Sequence, residues 1–464
     1  MNIRCLKKFD LGIHLEHVRS VPVSLGSELG EGVLFVYSDA VEQDPWQESF
    51  NYPKGTLKMA VYTMSGLQVW KRDLGWGEIN GTWYTPFMTF DLDGDGIDEI
   101  WLVNNSVEDT PFSLKARVLE RIDPLTGKVT GTWPWPETVE ELNMSHAYRF
   151  YIIGGYVHDT PVLVTAQGCY RDMYLQAYNP DMEKRWEIMI PYGDGCRASH
   201  CCPVLDFDED GIDELFWGER AISLDDGREL YCCDRELYFG HSDAVTPFVD
   251  DETGKKYIFT CREDDERPGV PRVVTYNDRG ERVWTAVEDF GHMHRGWVAN
   301  IGPNRRKVAM ALRYGARVFN GTEMEFRAPE HFYFDAITGE RMESPLPFVA
   351  SEYMPIDFDG DGYHEFFSSE ELSEHPGYIR DRFGKLLAFV GGCLVRSGKI
   401  LDRPGEQLML FYQDEGVVRV WGDVDAVESE YFKRKFSNPY HKRMQHFMGT
   451  GYNYKFSRVT SAMV

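Results

Sequence analysis

A chain of 464 residues, 42% hydrophobic and 14% aromatic, has ample material for a core and is no acidic disordered tail. Its formal charge of −26 argues against nucleic acid and against an anionic membrane as partner, because both must be met by clustered Lys and Arg. Nine cysteines, with adjacent pairs at Cys201-Cys202 and Cys232-Cys233 and no zinc-ligand spacing, read as reduced thiols packed against neighbours.

In chain order, the first twenty residues are partly basic but no apolar run follows them, so a cytoplasmic protein is expected. From there a phrase recurs: apolar strand, Asp-rich or degenerate turn, apolar strand, then a Gly-containing hairpin and an aromatic strand. Hairpins end at Trp70, Trp186, Tyr231 and Trp284, and Gly66, Gly227 and Gly280 stand where a tight β-hairpin needs positive φ. About eight units of roughly 58 residues result. They begin near Gly32, Phe87, Arg149, Ser199, Ser242, Arg295, Tyr353 and Cys393. Short strands with few helical signals at this period predict an all-β fold, a single β-propeller domain over residues 1–464. Eight blades are expected, with seven as the alternative because the last unit is the least regular. The segment from Asn438 and a strand near Val18 to Leu25 are expected to close the ring.

Three turns repeat one another: "DLDGDGIDEI" from Asp91, "DFDEDGIDEL" from Asp206 and "DFDGDGYHEF" from Asp357. Carboxylates at positions one, three, five and nine, with a backbone carbonyl at seven and Gly at six, surround a hard cation with oxygen. The ligand sets are Asp91, Asp93, Asp95, Ile97 and Glu99; Asp206, Asp208, Asp210, Ile212 and Glu214; and Asp357, Asp359, Asp361, Tyr363 and Glu365. All-oxygen coordination favours Ca2+. Three copies in equivalent turns favour a structural role, since a ring has one central site. His364, in the third loop, is expected at the surface.

The ordered motifs "VLVTAQGCYRDMYLQAYN", "ASHCCPVLDFDEDGIDELFWGERAISLDDGREL", "GHSDAVTPFVDD" and "HRGWVANI" resemble the eight-bladed propeller of the family 11 rhamnogalacturonan lyases. The likeness is fullest between Phe150 and Ile301. It implies cleavage next to a uronic acid by β-elimination, with calcium and basic groups around the uronate. The family's Asn-Gly-Thr-Lys loop has no counterpart in "AFVGGCLVRSGK", and its "YNQPPH" stretch is reduced to "YNYKFS". These departures imply a divergent relative acting on a shorter or different uronate-containing sugar, such as a rhamnose-uronate oligosaccharide.

β-Elimination needs a cationic group on the carboxylate, a base for the C5 proton and an acid for the leaving oxygen. Unusual polar residues recur where strands would enter the ring. His241 or His200 is the expected base, with Tyr452 the alternative, and Arg171, Arg197, Arg262 and Arg295 are candidates for the carboxylate. His146, Arg149, Tyr170, Asp243, His292, His294, Arg313 and Tyr314 are expected to bind substrate, with Trp83 and Tyr84 stacking on a sugar face. Singly, a histidine such as His200 can serve only to bond a neighbouring blade's backbone; together the set points to a site. Two rivals stay open. A glycoside hydrolase would use two of Asp172, Asp243 and Glu263; a calcium propeller that only binds carbohydrate or protein would need no such ring of His and Arg.

Overall fold

The computed structural model describes all residues except 47–50, 53, 106–116, 136–142, 264–268, 289–290, 320–323, 369–375 and 447–464. Eight four-stranded antiparallel sheets follow one another as the blades of a propeller. Blade one is His17–Ser24, Glu31–Ser38, Lys58–Thr63 and Gln68–Asp73. The innermost strands of blades two to seven are Phe87–Phe90, Phe150–Val157, Val204–Leu205, His241–Val249, Met293–Asn300 and Tyr353–Ile356. In blade eight, Cys393–Gly398, Gln407–Tyr412 and Val417–Asp423 are joined by Ile3–Asp10 as the outermost strand. Two expectations are corrected here. The strand around Val18 to Leu25 opens blade one and closes nothing, so Gly32 falls on that blade's second strand; and the chain around Asn438 is helical, as Glu430–Ser437 and Pro439–Met444.

The hairpin signals work between blades. Trp70, Trp186 and Trp284 each donate an indole N–H to a carbonyl of the next blade, at Pro124, Leu224 and Ala336. Each indole also lies over a turn glycine of that blade, Gly127, Gly227 and Gly339, where an added Cβ would fall within 2.8 Å of the ring. Gly at these turns therefore serves close packing as well as positive φ. The nine cysteines are free thiols, all but Cys5 buried or partly so.

The Asp-rich turns join the first and second strands of blades two, four and seven, and their eighth residue stitches each to the blade before. Asp98, Asp213 and His364 donate their backbone N–H to the carbonyls of Ser24, Tyr156 and Asn300. Their side chains take the backbone N–H of those same residues, at 2.6, 2.7 and 3.0 Å. His364 is thus 1% exposed and holds two blades together, against the expected surface position. An acceptor was needed there, and a neutral imidazole nitrogen supplies one as an aspartate does.

The two C-terminal helices lie at the same end of the ring as these turns. Arg443 pairs with Asp213, Lys435 with buried Glu406, and the Ser429 hydroxyl donates to the Gly360 carbonyl. Tyr440 and Met444 share a buried cluster with Phe90 and Phe207. Because the innermost strands all run the same way, their starting ends gather at the opposite mouth.

Candidate functional site

That opposite mouth carries the polar residues. His241 begins its strand, Asp243 and His294 sit where the pairing register slips by one residue, and His292 lies two residues before His294. Such bulges re-aim a side chain, and both here aim at one cluster. Asp243 is fully buried and is met from four sides. His200 Nδ1 and His241 Nε2 lie 3.1 and 3.3 Å from its Oδ1, and His292 Nε2 and His294 Nδ1 lie 2.7 and 2.8 Å from its Oδ2. Glu263, paired in register with His241, places Oε2 2.8 Å from His241 Nε2 and Oε1 3.4 Å from His292 Nδ1.

The electrostatics follow from this crowding. Burial alone would raise the Asp243 carboxyl, but His200 and His292 hold it well below the usual range. Burial would likewise raise Glu263, yet His241 brings it down to about 2. Burial drives His200 down to about 3, while Asp243 and Glu263 outweigh it at His241 and raise that imidazole.

Beside this cluster lies a cationic, aromatic wall. The Tyr170 hydroxyl is 3.2 Å from His200 Nε2, and the Arg149 and Arg197 guanidinium carbons stand 4.8 and 5.4 Å from the Tyr170 ring centre. Arg171 donates to His146 Nδ1 at 3.4 Å. Tyr314 stacks on His294 with ring centres 4.1 Å apart. The structure therefore gathers His146, Arg149, Tyr170, Arg171, Arg197, His200, His241, Asp243, His292, His294 and Tyr314 in one arc across blades three to six, with Arg295 partly exposed beside His294.

Other expectations are corrected. Arg262 is fully buried and held by Glu219 at 2.9 Å and Asp234 at 2.7 Å, so it braces blades four and five and cannot reach a ligand. Arg313 is 4% exposed and paired with Glu330. Trp83 and Tyr84 are 1% and 0% exposed, which bars a sugar from stacking on them; Trp83 instead lies under Arg149, 4.4 Å from its guanidinium carbon. His200 and His241, at 1% and 2%, lie beneath the mouth surface and not on it. Tyr452 lies outside the described residues. One mouth residue went unrecognised in sequence: Tyr192, 54% exposed, with Arg171 and Arg197 over its ring at 5.6 and 5.9 Å. Its turn, "PYGDG", offered only an aromatic among turn residues as a signal.

The residues present fit cations in two kinds of place. In the Asp-rich turns, Glu99 Oε1, Asp206 Oδ1 and Asp357 Oδ1 are buried oxygens with no hydrogen-bond partner. Without a cation, burial pushes Glu99 and Glu214 up to about 8, and Glu365 and Asp357 well above their ordinary range. Buried acceptor-only oxygens facing one another are what a bound Ca2+ would resolve. At the mouth, both ring nitrogens of buried His241 lack hydrogen-bond geometry although Glu263 is 2.8 Å away, and His200, His241 and Asp243 place ligand atoms within 4.8 Å of one another.

At 26% identity over 324 residues the chain resembles the rhamnogalacturonan exolyase YesX of Bacillus subtilis (strain 168), matching 60% of this chain and 52% of that protein. The rhamnogalacturonan endolyase YesW of the same organism is 26% identical over 321 residues, 60% of this chain and 49% of its own. The chain thus spans about half the length of the curated relatives it matches. In fold, the YesX crystal structure superposes with a TM-score of 0.78 at 19% identity over 100% of this chain and 82% of that one. The Bacillus licheniformis rhamnogalacturonan lyase gives 0.74 at 19% identity, over 94% and 76%. The family model for the C-terminal domain of rhamnogalacturonan lyase family 11 matches residues 146–389, more than half of the chain, and the protein belongs to that family.

Proposed function

We propose that this protein is a lyase that cleaves rhamnogalacturonan-type oligosaccharides next to a uronic acid by β-elimination. The observation that carries this reading is the mouth itself: Tyr170, ringed by Arg149 and Arg197, with its hydroxyl on His200 and exposed Arg171 at its side. In this reading Arg171 and Arg197, with Arg295, neutralise the uronate carboxylate, which acidifies the C5 proton. Tyr170 is the base in this reading. Burial raises the Tyr170 hydroxyl well above its ordinary range and the Arg149 guanidinium opposes this, so the hydroxyl proton has to pass to His200 Nε2, 3.2 Å away, as Tyr170 acts; His200 and His241 themselves lie too deep to touch the sugar. Tyr170 takes the C5 proton, the C4–O bond breaks as a C4=C5 double bond forms, and Tyr170 returns that proton to the leaving oxygen. A cation held by His200, His241, Asp243 and Glu263 would supply Lewis-acid polarisation of the carboxylate; Ca2+ in the three Asp-rich turns supports the fold. Tyr192 and Tyr314 offer exposed faces for the sugar.

A hydrolase is disfavoured because it needs one neutral carboxylic acid as proton donor. Asp243 and Glu263 sit among imidazoles that keep them ionised, and the Asp172 carboxylate accepts the Tyr192 backbone N–H. The test is ultraviolet absorbance of the unsaturated uronate released from rhamnose-uronate oligosaccharides by the wild type and Tyr170→Phe. The variant should keep its fold and lose about 10²- to 10⁴-fold in turnover. New reducing ends without that absorbance would overturn the lyase reading.

A further inference from the structure

Asp243 turns one oxygen to His200 and His241 and the other to His292 and His294, so the second pair is a separate ligand set. We propose that Asp243 Oδ2, His292 Nε2 and His294 Nδ1 form a facial site for a divalent first-row transition ion, adjoining the His200–His241–Glu263 pocket and sharing its aspartate.

Three observations carry this. The first is size. The three atoms form a triangle with edges of 2.7, 2.8 and 3.1 Å. An ion bound at about 2.1 Å needs neighbouring octahedral ligands about 3.0 Å apart, whereas Ca2+ at about 2.3–2.6 Å needs about 3.3–3.7 Å. The second is donor chemistry: two imidazoles and one carboxylate on one face are the pattern that selects Mn2+, Fe2+, Co2+ or Zn2+ over calcium. With both imidazoles turned on one oxygen, His292 Nε2 and His294 Nδ1 are only 3.1 Å apart. Two N–H groups directed at that oxygen would face each other at this distance, and a shared cation removes the conflict. The third is support. Glu263 Oε1 stands 3.4 Å from His292 Nδ1, the far nitrogen, as carboxylates do behind metal-bound imidazoles, and Tyr314 stacks on His294 and fixes its plane.

The site opens outward. The Asp243 side chain is 0% exposed, but those of His294 and His292 are 13% and 24% exposed, so the remaining coordination positions face the mouth. If the lyase reading holds, the uronate carboxylate is the ligand that reaches them, and this last clause alone rests on that reading.

The experiment measures metal, not turnover. The full chain is stripped with chelator, equilibrated with Mn2+ or Co2+ in excess Ca2+, and its bound metal counted by mass spectrometry. Wild type is expected to retain one transition ion per chain. His292→Gln and His294→Gln should each weaken retention by at least about 10-fold while keeping calcium and melting temperature, and Asp91→Asn should keep the transition ion. Imidazole nitrogen couplings in the electron-spin spectrum of the Mn2+-loaded protein should be lost in His292→Gln and His294→Gln and kept in His241→Gln, which separates this ion from one in the adjoining pocket. Failure of the wild type to retain any transition ion overturns the proposal. So does retention lost in His241→Gln but unchanged in both His292 and His294 variants.

Discussion

Replacing Asp213 by Ala tests how neighbouring blades are held. The side chain is 2% exposed, takes the Tyr156 backbone N–H at 2.7 Å and pairs with Arg443 Nη1 at 2.6 Å. Alanine leaves that N–H facing the next blade without an acceptor, which costs about 1–3 kcal/mol. Arg443, 26% exposed, turns to water, so its lost pair adds at most about 1 kcal/mol. The sum is about 1–4 kcal/mol. At about 2 cal/mol/K of unfolding entropy per residue, a chain of 464 residues changes by about 1 kcal/mol per degree, so Tm should fall by about 1–4 °C. The assay is calorimetry in saturating Ca2+, with calcium stoichiometry checked on the variant so that loss of the neighbouring turn's ion is not mistaken for loss of the stitch. Asp213→Asn keeps an acceptor and should lose less than half as much. A wild-type melt for Asp213→Ala, or an equal loss for both variants, would refute the reasoning.

Removal of calcium should act through the same turns. An ion at one hundred times its Kd contributes about 2.7 kcal/mol, so emptying three sites lowers stability by about 8 kcal/mol, and chelation that left Tm unchanged would contradict the ligand sets. Cys232 offers a pH-dependent prediction away from any cation site. A hydrogen bond from Cys196, with sulfurs 3.8 Å apart, and then Arg220 and Arg235 bring its thiol down to about 6. The thiolate is the reactive form, so in a Cys5→Ser background alkylation of Cys232 should reach half its maximal rate near pH 6, against about 8.5 for an ordinary thiol. Arg235→Gln should move that midpoint up, and a wild-type midpoint at 8 or above would dismiss the assignment.

The ring was legible because its signals are local. A glycine turn and an aromatic four residues on lie within one hairpin, and the contact they make is with the same elements of the next repeat. The Asp-rich turns were legible for the same reason, as each ligand set lies within nine consecutive residues. What could not be read were burial and partnership across blades. Arg262 and Arg313 resembled free cations until Glu219 and Glu330 stood beside them, and nothing in "NGTWYTPF" shows that Trp83 packs under Arg149. His364 misled because the loop pattern marks its neighbours as ligands and leaves position eight unexplained; the stitch appears only when Asn300 is brought to it. The closing strand failed on distance, since Ile3–Asp10 pairs with Val417–Asp423 at the other end of the chain.

The two proposed kinds of cation position lie at opposite ends of the ring, and that placement makes their effects separable. The Asp-rich turns join first strands to second strands beneath the C-terminal helices, where a lost ion exposes carboxylates already driven up by burial. The Asp243 cluster stands where strands begin, on bulges that commit only a residue or two of backbone, and its outer ligands already face solvent. Emptying the turns should therefore cost stability first, and activity only as the ring loosens. Emptying the outer mouth site should leave the melt in place and change what the mouth can hold. A titration with chelators of graded strength, followed by calorimetry and by metal counting on the same samples, orders the two losses. Stability falling in step with the transition ion, with calcium still bound, would mean that the outer site is part of the scaffold.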